Sequence, residues 1–137
     1  MSKGGKVEET LVEKISTEPF ARKMGIRLVH VEKGYAVVEM MADKSLSNAR
    51  GRVHRGAIFS LLDEAGAAAS NSHGTTAVGL NTNVIYMAPA RLGGFLRAEA
   101  REVHRGSRVA TYDIRATDSE GSLIAVCRAI AYLKNPG

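Results

Sequence analysis

Asn48-Ala-Arg-Gly51-Arg-Val-His54-Arg55-Gly56-Ala-Ile-Phe-Ser-Leu-Leu-Asp63 gathers the side chains best able to do chemistry into one short stretch. An amide and an imidazole stand in a polar loop just before a run with helical periodicity. A carboxylate follows inside that run, nine residues after the histidine. The first N–H groups of a helix have no intrahelical acceptor, and the helix dipole adds partial positive charge at the same end. Such an end can hold negative charge that develops on an oxygen. A carboxylate set among Leu61, Leu62 and Ala65 is desolvated, which raises its basicity and suits a base or nucleophile. The alternative for Asp63 is a capped or paired structural acid. Against that alternative, Asp has poor propensity in a helix interior and is rarely buried without a partner. Glu64 points ~100° away around the helix and reads as structural.

Periodicity supplies the elements that must hold these groups. Residues 8–24 carry Leu11, Val12, Ile15, Phe20 and Met24 at helical spacing, predicting a short amphipathic helix interrupted near Pro19 and ended by Gly25. IRLVHVEKGYAVVEMM reads as two β-rich runs turning at Lys33-Gly34, and the polar loop ADKSLSNARGRVH follows. From Gly56 to about Ser70 the residues Ile58, Leu61, Leu62, Ala65, Ala68 and Ala69 recur at helical spacing, and Gly74 closes the run. Gly66 to Ser70 are all small, so this helix can press close to a partner surface. AVGLNTNVIYM (77–87) alternates, with Val78, Leu80, Thr82 and Val84 on one face.

Three further strands follow, FLRAEAREVH, SRVATYDIRAT and SLIAVCRAIAYL, joined by tight turns at Arg105-Gly106 and Asp118 to Gly121. Turns this short join antiparallel neighbours. In the first of the three, Leu96, Ala98 and Ala100 face one way and Arg97, Glu99 and Arg101 the other. In the last, Cys127 shares a face with Leu123, Ala125 and Ala129 and reads as packing. The predicted fold is α+β, with one long central helix wrapped by a single antiparallel sheet of about six strands. Residues 1–24 form an N-terminal segment with the short helix, and residues 25–137 form the single domain. Only the first few residues read as mobile.

Composition narrows the function classes. A chain of 137 residues with 45% hydrophobic and 24% charged residues fits one globular domain. No apolar run is long enough to span a bilayer, and the N-terminus has no apolar signal-peptide core. One cysteine excludes an intramolecular disulfide and a two-cysteine zinc site. The expectation is a soluble, reduced, cytoplasmic domain without membrane contact. Net charge is +5, with the excess at Arg50, Arg52 and Arg55 and from Arg91 to Arg108. Arginines this local suit a phosphate-bearing small molecule. The whole chain has only seven aromatics and no Trp, and a nucleic-acid binder more often shows a basic helix or aromatics interleaved with the charges, so nucleic acid is not the expected partner. His30, His73 and His104 lack metal-ligand spacing, and no metal site is expected.

N-x-x-G-x-x-H-x-G at Asn48 to Gly56, the acid at Asp63, and N-x-x-Y-M-x-P-A at Asn83 to Ala90 resemble the hotdog-fold acyl-CoA thioesterases, in particular the PaaI-like (phenylacetic acid degradation) group. The resemblance runs from Gly25 onward and includes the strand order. It implies the hotdog fold and hydrolysis of a small acyl- or aryl-CoA to free acid and CoA. It implies no metal or redox cofactor, CoA being part of the substrate. It gives roles to Asn48, to His54, to the N–H of Arg55 as carbonyl polariser, and to Asp63 as nucleophile or general base. Gly56, Gly79 and Met87 then become substrate contacts. The turn Arg105-Gly106-Ser107-Arg108, with two guanidinium groups and turn amides, falls where related enzymes place the CoA nucleotide.

Two positions depart from the family. Arg55 stands where relatives have the first glycine of His-Gly-Gly, so a side chain enters the mouth. Gly79 stands where relatives often carry Ser or Thr, and Thr82, three positions on, is assigned to the other face of its strand. Asp63 lies seven residues beyond Gly56, ~10 Å along the helix axis, too far for one helix to supply both ends of a reaction needing ~3 Å approach. The expectation from this geometry is a homodimer with shared sites, and the resemblance implies a dimer of dimers, a homotetramer. The competing readings are a non-catalytic acyl-CoA sensor and a hotdog dehydratase.

Overall fold

Pro19 cannot donate to the carbonyl four residues earlier, so the N-terminal periodicity is cut into two helices, α1 (Glu9–Ser16) and α2 (Pro19–Met24). The structure, a computed structural model, describes residues 5–134. The expectation of mobile first residues falls on positions outside that range. Gly25 ends α2 at φ 78°, a left-handed conformation that suits glycine, and its N–H returns to Ala21 and Arg22. Strands β1 (Ile26–Glu32) and β2 (Tyr35–Met41) form the expected hairpin. The long helix α3 spans Arg55–Asn71, and β3 (Ala77–Tyr86), β4 (Phe95–Arg105), β5 (Val109–Asp118) and β6 (Leu123–Leu133) complete the chain. The six strands make one antiparallel sheet in the order β1-β2-β4-β5-β6-β3. Among the described residues no helix is long and apolar enough to cross a membrane.

The core is the seam between α3 and the inner face of this sheet. Leu61, Leu62, Ala65 and Ala69 are fully buried against Val38, Met40, Leu96, Ala98 and Ile114. Each leucine buried this way is worth about 1.5–3 kcal/mol. Small residues set the helix-to-sheet spacing: a Cβ on Gly66 would sit 3.0 Å from Cδ1 of Ile114. The wrap is open on one side, where α3 presents Phe59 and Asp63 to solvent. This corrects the expectation for Asp63. Leu61, Leu62 and Ala65 turn toward the sheet, whereas the aspartate projects from a different face of the helix.

Alternation holds along the first part of β4, where Leu96, Ala98 and Ala100 are buried and Arg97 is exposed, whereas β2 is buried on both faces from Tyr35 to Val38. Elsewhere bulges change the faces. In β3 the ladder pairs Gly79 with Ala131 but Asn81 with Ile130 and Thr82 with Ala129. Ala129 and Ala131 are two apart on one face, so Gly79 and Thr82 share a face as well. The expected opposition of Thr82 to Gly79 is overturned by the extra residue at Leu80. Likewise β5 pairs Ala116 with Ala125 and then Thr117 with Leu123. Leu123 therefore leaves the face of Ala125, Cys127 and Ala129 and joins Arg97 and Glu99 on the outer side. Cys127 is buried, as expected of a packing residue.

Candidate active site

The first turn of α3 has four N–H groups to satisfy. Those of Ala57 and Ile58 donate to the His54 carbonyl at 3.0 and 3.3 Å, and that of Gly56 donates to Nδ1 of His54 at 2.8 Å. The N–H of Arg55 has no acceptor among the described residues. His54 is thus the N-cap, and an acceptor at Nδ1 places the ring's proton on Nε2. Gly56 is needed for this cap, since a Cβ there would lie 3.1 Å from His54 Nδ1. Its own N–H is consumed by the cap, so Gly56, expected as a substrate contact, has its amide engaged within the chain, whereas the Arg55 amide expected to polarise the carbonyl does not.

Asn48 shapes the loop before the helix. Its Oδ1 accepts from the N–H groups of Arg50 and Arg52 at 2.8 and 3.0 Å, while its own N–H donates to the Arg52 carbonyl. Among the described residues its side-chain NH2 has no acceptor. Asn48, Arg55, Tyr86 and Met87 line one groove of about 340 Å³ at this helix end. The Arg55 side chain lies 4.9 Å over the Tyr86 ring, a cation–π contact that draws it to the groove wall. Tyr86 is a groove residue that the sequence reading did not single out, although it stands in the Y-M-x-P-A run.

Asp63 opens into a different cleft, of about 100 Å³, together with Gly66, Gly79, Thr82, Tyr112 and Ala129. No residue lines both hollows. Burial by surrounding protein, helped by the Glu18 carboxylate, pushes the Asp63 carboxyl above its ordinary range even though it reaches solvent. Cys127 sits close enough for the Asp63 charge, with burial as the larger cause, to help lift its thiol to about 11. Glu64 faces the other way, toward Leu11, Ile15 and Glu18 of the N-terminal segment. Burial, a hydrogen bond to Glu18 and the charges of Glu18 and Asp63 push its carboxyl up to about 8.

The β4–β5 turn is built differently from expectation. A bulge after Glu102 pairs Arg105 with the buried Ala110, turning the Arg105 side chain inward. Its guanidinium meets Glu102 at 3.3 Å and the Tyr112 hydroxyl at 3.4 Å, and Tyr112 donates to Glu102 at 2.7 Å. His73 pairs with the same carboxylate at 3.1 Å, and burial followed by the Arg105 charge lowers its pKa. The Gly106 N–H is taken by the Val109 carbonyl. Arg105, Ser107, Arg108 and Lys134 still border one open hollow of about 480 Å³.

Known proteins are similar to this chain in sequence and fold. A family model described as Thioesterase superfamily matches residues 50–125. A protein of Archaeoglobus fulgidus named as an esterase is 42% identical over 109 residues, 80% of this chain and 71% of that one. The Escherichia coli acyl-coenzyme A thioesterase PaaI is 32% identical over 108 residues, 79% of this chain and 77% of its own. The solved structure of E. coli PaaI superposes with a TM-score of 0.87, covering 90% of each chain at 28% identity. A Streptococcus mutans protein solved bound to acetyl-CoA matches at a TM-score of 0.77 and 27% identity, over 80% of this chain and 89% of that one.

Proposed function

The chain belongs to the thioesterase superfamily and has the hotdog fold, and from that premise we propose that it hydrolyses a small acyl- or aryl-CoA to the free acid and CoA. The single observation that carries this reading is the bookkeeping at the start of α3: three of its first four amides are satisfied and the Arg55 N–H is left to a ligand. A thioester carbonyl oxygen is a suitable acceptor, because attack on the adjoining carbon converts it to an oxyanion that binds this end more strongly. The Asn48 NH2 borders the same groove as a second donor.

Asp63 acts as general base in this reading. Its raised pKa makes it a better proton acceptor than an ordinary aspartate. Water attacks the carbonyl carbon while its proton passes to Asp63. The C–S bond then breaks, and the proton leaves with the CoA thiolate. A single turnover in oxygen-labelled water separates this from direct attack by the carboxylate: a base puts the label only in the product acid.

The base and the donor come from different subunits. Their two hollows share no lining residue, and β3 leaves one edge unpaired with Val78, Leu80 and Ile85 exposed along it. A long apolar edge of this kind calls for a cover. A second copy related by a two-fold axis provides one and sets antiparallel α3 helices end to end. Ser107, Arg108 and Lys134 hold the phosphates of the CoA nucleotide, with Arg105 behind them engaged by Glu102 and Tyr112.

Thiol release from a panel of acyl-CoAs tests the activity; absence of turnover on every member overturns it. Mixing Asp63→Ala chains with Asn48→Ala chains tests the sharing, and roughly a quarter of wild-type activity should return, since half of random pairs are mixed and each holds one intact site. Two inactive parents that stay inactive when mixed would place both groups in one protomer's site.

A further inference from the structure

Thr82 occupies a position that the alternation of its strand does not predict. The bulge at Leu80 puts it on the same sheet face as Gly79, and both line the cleft into which Asp63 opens. The residue is half-buried, and its hydroxyl has no hydrogen-bond partner among the described residues. The remaining wall of this cleft is poor in polar groups: Gly66, Ala67, Ala129 and Ala131 offer no side-chain donor, and the Ser70 hydroxyl already donates to the Ala67 carbonyl at 3.2 Å. An oriented water beside Asp63 thus has one uncommitted side-chain hydroxyl of the same chain within that cleft.

We propose that the Thr82 hydroxyl is the positioning residue for the attacking water, accepting or donating one hydrogen bond so that the water's lone pair faces the thioester carbon while its proton faces Asp63. The inference rests on the thioesterase reading above. Chain geometry explains why a threonine can take this task three residues from the glycine. One extra residue in β3 restores the parity that an odd spacing would otherwise lose. The two positions are then interchangeable in kind. A side chain at Gly79 would meet no atom within 4 Å of its Cβ, and the backbone there is not left-handed, so a hydroxyl can be supplied from either place.

The experiment compares kcat and KM for wild type, Thr82→Val, Thr82→Ser, Asp63→Asn and the double variant Gly79→Ser/Thr82→Val, on the best acyl-CoA of the panel, with thermal melts alongside. Valine matches threonine in shape, so folding is preserved while the hydroxyl is lost. Losing one hydrogen bond to the reacting water should lower kcat roughly tenfold with KM unchanged. Thr82→Ser should retain most of the activity, and Gly79→Ser should recover several-fold of what Thr82→Val loses. A Thr82→Val enzyme with wild-type kcat overturns the proposal while leaving the thioesterase reading intact, provided Asp63→Asn is inactive. A loss of kcat that Thr82→Ser shares in full also overturns it, since packing and not the hydroxyl then decides. If Asp63→Asn turns over normally, both readings fail together.

Discussion

The half of the sheet formed by β2 and β4 and the half formed by β3 and β6 obey different rules. From Tyr35 to Met41 the β2–β4 ladder keeps register without a break, and its inward residues Ala36, Val38, Met40, Ala98 and Ala100 are almost wholly buried. The β3–β6 pair carries a bulge, its inner face is lined by alanine, glycine and threonine, and α3 does not fill the space above it. One half is a packed wall and the other a cleft. A regular ladder maximises contact with the helix, whereas a bulge redirects side chains toward a space left for something else. The candidate chemistry belongs to the second half.

The largest way to break this contrast is at the cleft's carboxylate. Asp63→Asn should lower kcat by about 10²–10⁴, the usual worth of a general base, while leaving the melting temperature near wild type because the side chain reaches solvent. The raised pKa adds a sign: kcat should climb with pH as Asp63 deprotonates, at a midpoint above that of an ordinary aspartate. A pH–rate profile on the wild type checks this.

Next in size is a matched pair of substitutions, one in each half. Ala98→Val adds volume where no space remains and should cost about 1–3 kcal/mol of stability. Ala129→Val adds the same volume to the wall of the Asp63 cleft and should shift the melt little while lowering kcat/KM for the bulkier acyl groups. Equal melting shifts for the two would erase the distinction between wall and cleft.

The smallest effect concerns the other side of α3. Glu64 has a carboxyl raised from 4.5 to about 8 beside Glu18. Between those values the folded state keeps a proton that the unfolded chain has released, so stability declines as pH rises through that window and levels off above it. Glu64→Gln should flatten this part of a stability–pH curve measured by denaturant melts. An unchanged slope would show that the Glu18–Glu64 contact does not carry it.

Much of this architecture was legible in the chain. The period of Ile58, Leu61, Leu62, Ala65 and Ala69 located α3 and its buried face because a helix interior tolerates few exceptions to that spacing. Leu96, Ala98 and Ala100 did the same for β4. Thr82, Leu123 and Arg105 were misplaced for one shared reason. Each lies beyond a bulge, and a one-residue insertion flips every later side chain without leaving a mark in hydropathy. The candidate site could be proposed from its residue types, Asn48, His54 and Asp63, but not from its bonds. The resemblance named the Arg55 amide, but that His54 takes the Gly56 amide and leaves the one before it depends on a side-chain orientation that spacing does not encode. Asp63 was expected among leucines because it neighbours Leu61 and Leu62 in sequence, yet adjacent helical residues point in different directions.

The cap on α3 also makes the imidazole a mechanical part as well as a chemical one. His54 can accept the Gly56 N–H only while Nδ1 carries no proton. A ring turned so that its N–H faced Gly56 would set two donors against each other and loosen the opening turn of the helix. The shape of the helix end and the orientation of one histidine ring are therefore a single variable, and whatever turns that ring also remodels the opening turn of α3.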